Sequence, residues 1–293
     1  MPQAQNGQIT LEFDHFGDRD HPALLLIMGF TAQMTVWETG FCEMLADRGR
    51  FVVRFDNRDC GLSSKTQGDP PDTMTIMAQA MSGQPVTADV PYDLSDMAGD
   101  AAAVLDHLGI DSAHVVGASM GGMIAQQMAI DLPDRVGTLT SIMSTTGAAD
   151  VGQPEPAALT ALLEPPIEGR EANIEQNVEV SRLISGALFD EDRSRERATF
   201  NYDRSFYPQG GPFQLAAMSK TGDRTHALRG LDVATLVIHG DVDPLVTPSG
   251  GEATAAAIPG AELVMFDQMG HDLPEPLWSR VVDAITAVGD RAR

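Results

Sequence analysis

The stretch HVVGASMGGMIAQ, residues 114–126, crowds glycine and other small residues around one serine, Ser119. A short apolar run, HVVG, leads into it, and a helical pattern, MIAQQMAIDLPDR (123–135), leads out. Glycines between a strand and a helix have three common uses. A dinucleotide fingerprint needs G-x-G-x-x-G after the first strand; Gly117, Gly121 and Gly122 do not have that spacing, and the turn follows a middle strand. A phosphate-binding P-loop needs lysine after the last glycine, where this chain has Met123. The third pattern, G-x-S-x-G, is met by Gly117-Ala118-Ser119-Met120-Gly121. It places a serine on a strained strand-to-helix turn, with glycines where side chains would collide with neighbouring elements.

Working outward, short apolar runs alternate with helical patterns. The segments 23–28, 51–55, 114–117, 138–143, 235–239 and 262–266 are brief, bounded by turn residues and apolar throughout. That is the pattern of strands covered on both faces. Helical spacing fills 35–49, 94–110, 123–135, 250–258 and 276–288. Such alternation implies right-handed crossovers and a mostly parallel sheet. QITLEFDHFG (8–17) alternates instead, which predicts an antiparallel edge strand. The alternation breaks between about Ala148 and Gly222, where helical patterns occupy 173–189, 191–207 and 212–220. Asn173, with Gln176 three residues on, resembles a capping box at the start of the first of these. The reading is an α/β core made of 1–147 and 223–293, with 148–222 inserted as a helical cap.

Composition excludes several classes. At 293 residues and 43% hydrophobic, the chain can bury one substantial core. A formal charge of −23 opposes nucleic acid. No apolar run is long enough for a membrane span, and MPQAQNGQIT lacks the features of a signal peptide. Two cysteines, Cys42 and Cys60, make no disulfide framework and point to a reducing cytoplasm. The partner expected is a small molecule, and oligomeric state is not legible.

A serine hydroxyl needs a base, and the base needs an orienting acid. Of the histidines, His226, His239 and His271 follow Ser119. His271 lies in DQMGHDLPEP, just past a strand, where sites form in open α/β sheets. His239 falls inside or at the end of a strand and reads as a packed residue; His226 precedes a strand, on the wrong side. TLVIHGDVDPLV offers Asp241 and Asp243. Asp243 lies in the turn beyond the strand and can reach the base, whereas Asp241 reads as a side chain that caps the turn. Two backbone N–H groups must face the developing oxyanion. One is that of Met120, after the nucleophile; the other is that of Phe30, in the MGFTAQ loop after the first parallel strand. Leu183, Leu188, Phe189, Phe206, Phe213 and Met218 are the apolar candidates for a substrate pocket in the cap. Neither a cofactor nor a metal is called for.

These residues together resemble the α/β-hydrolase superfamily, and the resemblance covers essentially the whole chain. Met28-Gly29-Phe30, RFDNRDCGLSS (54–64), HVVGASMGG, TLVIHGDVDPLV and MGHDLPEPLW occur in the family's order. The chain is most similar to small bacterial carboxylesterases and the aclacinomycin methylesterase group. The resemblance implies an acyl-enzyme on Ser119 and hydrolysis of carboxylic esters with small to medium hydrophobic groups. It departs from the common pattern at Met28, where relatives usually have histidine, and in Asp56–Ser63, where relatives often read D-x-R-G-x-G-x-S; Cys60 is read as structural. Lactonases, C–C hydrolases and cofactor-free perhydrolases use the same triad, and a non-enzymatic ligand-binding member of the fold is a further alternative.

Overall fold

The computed structural model describes residues 2–84 and 86–291. Its strands are β1 (Gln3–Asn6), β2 (Ile9–Phe16), β3 (Ala23–Ile27), β4 (Phe51–Phe55), β5 (Ala113–Ala118), β6 (Val136–Ile142), β7 (Thr235–Gly240) and β8 (Glu262–Phe266). They form one sheet in the order β1-β2-β4-β3-β5-β6-β7-β8. Every pair from β4 across to β8 is parallel, while β2 runs antiparallel to both β1 and β4. The alternating segment 8–17 is therefore antiparallel but not the edge. The edge is β1, whose sequence, QAQN, is too short and polar to carry a period-2 signal.

Period 2 in the central strands feeds two cores, one on each face of the sheet. Leu25, Ile27, Val53, Phe55 and Val115 pack with α3 (Leu94–Leu108) and α4 (Met120–Asp131). Leu24, Leu26, Val52 and Val116 pack with α1 (Thr39–Asp47) and α11 (Trp278–Gly289). The helices present matching stripes: Leu94, Met97, Ala101 and Leu105 on α3, and Trp278, Val281, Val282 and Ile285 on α11. The start of α3 is fixed by a capping box between Asp93 and Asp96, and left-handed Gly109 closes its end. Of the two further helices outside the β6–β7 connection, α10 (Ser249–Ala257) packs beside β7 and β8, and α2 (Thr73–Met81) packs on the helix that carries Ala216.

Between β6 and β7 come α5 (Pro156–Leu163), α6 (Arg170–Ile184), α7 (Glu191–Arg204), α8 (Gly210–Thr221) and the single turn α9 (Thr225–Leu228). No strand lies among them in the described residues. The capping box read at Asn173 is not there, because α6 already begins behind Gly169. Both side chains instead hold the loop before the helix. Asn173 donates to the Ile167 carbonyl at 3.4 Å, and Gln176 accepts from the Ile167 N–H at 2.9 Å. The ends of the helical stretch between β6 and β7 are tied together by Arg224. Its backbone N–H donates to the Thr146 carbonyl, and its guanidinium donates to the carbonyls of Thr145 and Gly222. Burial lowers that guanidinium to a pKa of about 10. No helix among the described residues is long and apolar enough to cross a membrane.

Candidate active site

Ser119 leaves β5 and enters α4 with φ 58° and ψ −123°, a conformation a serine holds only when its surroundings enforce it. The flanking glycines explain how the turn closes. A Cβ on Gly117 would overlap the Gly121 carbonyl, and one on Gly121 would overlap the Ile27 carbonyl at the end of β3. The Ser119 N–H donates to the Ile142 carbonyl at 2.9 Å, and the Ser144 hydroxyl donates to the Ser119 carbonyl at 2.8 Å. The elbow is thus anchored to the strand and loop beside it.

His271 follows β8, and its backbone N–H donates to the Ile184 carbonyl at the end of α6, 2.7 Å away. Its Nε2 lies 2.9 Å from Ser119 Oγ, and its Nδ1 lies 2.8 Å from Asp243 Oδ2. Asp243 follows β7, and its other oxygen, Oδ1, accepts from the N–H groups of Leu245 and Val246, each at 2.9 Å. Burial pushes the Asp243 carboxyl up, but the His271 charge and hydrogen bonds from His239, His271 and the Val246 N–H outweigh it. The net result holds the carboxyl well below the usual carboxylate range. An ionised Asp243 can only accept, so it keeps the His271 proton on Nδ1 and leaves Nε2 free to take the serine proton.

His239 sits fully buried in β7, with Nε2 donating to the Val246 carbonyl at 2.7 Å. Asp241 does not cap its own turn; it accepts from the Gln268 N–H at 2.7 Å and joins the β7 and β8 loops.

The loop after β3 lies against the nucleophile: a Cβ on Gly29 would stand 3.0 Å from Ser119 Cβ and 3.5 Å from Oγ. Among the described residues, neither the Phe30 N–H nor the Met120 N–H has a protein acceptor. The RFDNRDCGLSS segment brackets this loop. Asn57 donates to the Met28 carbonyl and Asp56 accepts from the Met34 N–H, both at 2.8 Å. Asp56 also pairs with Arg204 of α7 at 2.8 Å, with both groups buried. The Cys60 thiol donates to the Thr31 carbonyl, and burial raises its pKa, which leaves it a poor nucleophile.

Leu188 and Phe189 line a cavity of about 430 Å³ between the α6–α7 connection and the loop that carries His271, with Asp272 and Leu273 on its other wall. Phe213 and Met218 join the hydrophobic cluster that takes in Met120 and Phe30. Leu183 and Phe206 are 44% and 41% exposed, and Phe206 stacks on Tyr202. Four residues the sequence reading passed over bear on the site: Gln33, Ser144, Arg204 and Gln214. A buried glutamine or an arginine far along the chain carries no local signal for such a contact.

A model of the α/β-hydrolase fold matches residues 22–275. The chain belongs to the α/β-hydrolase family. Among curated relatives, rhodomycin D methylesterase DnrP of Streptomyces peucetius is 31% identical, over 96% of this chain and 95% of the relative. The 3-oxoadipate enol-lactonase 2 of Acinetobacter baylyi is 25% identical over 83% and 80%. Among solved structures, the meta-cleavage product hydrolase CumD of Pseudomonas fluorescens IP01 superposes with a TM-score of 0.78, at 16% identity, covering 100% of this chain and 98% of that one. That likeness speaks to the α/β-hydrolase fold alone.

Proposed function

We propose that the chain is a serine carboxylic-ester hydrolase working through an acyl-enzyme on Ser119. The observation that carries this is the hydrogen-bonded line from Ser119 Oγ through His271 to Asp243, at 2.9 and 2.8 Å. In the first half-reaction Ser119 Oγ attacks the ester carbonyl carbon while His271 Nε2 takes its proton. Asp243 orients the imidazolium and stabilises its charge. The N–H groups of Phe30 and Met120 hold the oxyanion, whose loss of one donor typically costs about 10²–10³ in rate. The intermediate collapses, the alcohol leaves with the proton from Nε2, and the acyl group stays on Oγ. In the second half-reaction water gives a proton to Nε2 and attacks the acyl carbon; the intermediate collapses, the C–Oγ bond breaks, Nε2 returns the proton to Ser119 Oγ and the acid leaves. The methylesterase named among the relatives supports an ester carbonyl as the target.

Residues 148–222 act as the cap. Leu188 and Phe189, on the cavity beside the His271 loop, and half-buried Met218 near the proposed oxyanion donors are the apolar residues offered to the substrate, with buried Phe213 packed behind them. The strongly negative surface favours a small-molecule partner over nucleic acid, and two free, buried cysteines suit a cytoplasmic protein.

The test is a panel of p-nitrophenyl esters, methyl esters and lactones with native protein and Ser119→Ala. Turnover of carboxylic esters that the alanine variant loses supports the assignment. Turnover of lactones alone would move the substrate class, and undiminished turnover by folded Ser119→Ala would refute the mechanism.

A further inference from the structure

We infer that Gln214, on α8 of the inserted helices, is a positioning residue that sets the oxyanion loop and through it the rate of the chemical step. The inference rests on the esterase reading above. Gln214 is fully buried. Its Oε1 accepts from the Thr31 N–H at 2.8 Å, and its Nε2 donates to the Arg58 carbonyl at 2.8 Å. Thr31 immediately follows Phe30, so this one side chain fixes the peptide group next to the proposed oxyanion donor and ties it to the loop after β4.

The loop needs such a tie. Thr31 has φ 55°, a left-handed backbone that a β-branched residue does not adopt unless held there. The remaining holds on Thr31 are the Cys60 thiol on its carbonyl and the bond from its own hydroxyl to the Phe30 carbonyl. The helix that carries Gln214 also sits directly on the loop. A Cβ on Gly211 would lie 3.3 Å from Thr31 Cγ2 and 3.5 Å from the Phe30 ring. At the other end of the loop, Gln33 is gripped by α7. Its Nε2 donates to the Asn201 and Ser205 carbonyls at 2.7 and 2.9 Å, and its Oε1 accepts from Arg204 at 2.6 Å. The segment from Phe30 to Gln33 is thus held between two helices of the insertion. A small shift of those helices moves a donor that has to meet the oxyanion, and misplacement of about 1 Å costs about 10²-fold in rate.

The test compares native protein with Gln214→Met, which keeps the volume and removes both hydrogen bonds. Three quantities are read: kcat and KM for p-nitrophenyl acetate, the Ki of a trifluoromethyl ketone that adds to Ser119, and hydrogen exchange at the Thr31 amide. The expected result is a kcat lowered about 10- to 100-fold with KM within about threefold, since a displaced donor loses less than a deleted one. The ketone Ki rises by a similar factor, because the adduct uses the oxyanion donors and the ground state does not. A folded Gln214→Met with kcat and Ki within about twofold of native overturns the inference. Exchange in the native protein is read whether or not the variant folds. Slow exchange of the Thr31 amide, although the residue is exposed, supports the Gln214 bond; exchange at the rate of a free amide overturns it. Native protein inactive on every ester would refute the esterase reading, while the exchange result still decides whether Gln214 holds the loop.

Discussion

Asp243→Asn probes the proposed triad at the member furthest from the substrate. Asp243 presents four acceptor contacts: two backbone N–H groups on Oδ1, and His271 Nδ1 and the more distant His239 Nε2 on Oδ2. In the asparagine variant the carbonyl oxygen can keep the N–H groups of Leu245 and Val246, so the turn retains its form. The amide nitrogen then stands where Oδ2 stood and must donate. Facing a donor, His271 Nδ1 becomes the acceptor, its proton moves to Nε2, and Nε2 points an N–H at Ser119 Oγ. The base is then in the wrong tautomer. An equivalent change in a serine protease triad lowers kcat about 10⁴-fold, which corresponds to about 5.5 kcal/mol of barrier. Stability falls by less, about 1–3 kcal/mol, because the His239 Nε2–H then faces an amide donor in a buried place. Steady-state kcat on p-nitrophenyl acetate, alongside circular dichroism and urea unfolding, separates the two effects. A folded Asp243→Asn enzyme with kcat within tenfold of native would refute the tautomer argument.

Other sites carry sharper structural consequences. A Cβ on Gly122 would come within 2.6 Å of Ser144 Cβ and 2.8 Å of its Oγ, the hydroxyl that holds the Ser119 carbonyl. Gly122→Ala should therefore cost about 1–3 kcal/mol in urea unfolding despite the better helix propensity of alanine; a stabilised variant would contradict that packing. Arg204→Met removes the partner of buried Asp56 and should destabilise by about 3–5 kcal/mol; a loss below 1 kcal/mol would mean that the pair contributes no net stability. His114 is held down to a pKa of about 4 by burial and by the Arg50 charge. Its folded value lies below the unfolded value of about 6.5, so the unfolded chain binds the extra proton between those pH values. Its contribution is intact above about pH 6.5 and is lost as pH falls toward 4, by up to about 3 kcal/mol. His114→Gln should flatten that part of the stability profile, and an unchanged slope would refute the assignment.

Much of this architecture is written locally. Ser119, Asp243 and His271 each follow closely on the end of an apolar strand, β5, β7 and β8, so chain order and strand ends suffice to nominate them. The glycines at 117 and 121 are likewise explained by neighbours a few residues away or on the adjoining strand. The contacts that hold the proposed oxyanion loop are of another kind. Gln214 meets Thr31 across 183 residues, and Arg204 meets Asp56 across 148. Nothing in the periodicity of α7 or α8 distinguishes those side chains from solvent-facing ones. The Asn173–Gln176 spacing misled because the same two side chains can hold the loop before a helix that has already started at Arg170. The polar strand β1 left no pattern, and the apolar residues of the insertion face in directions that only the docking of its helices determines. Phe206 and Leu183 face outward for that reason.

Labelling with a fluorophosphonate, followed by peptide mapping, tests the central claim most directly. The proposed mechanism predicts one phosphonyl adduct on Ser119, formed rapidly in the native protein and slowed by several orders of magnitude in Asp243→Asn. An adduct on another residue, or none on native protein under conditions that label a known serine hydrolase, would contradict it.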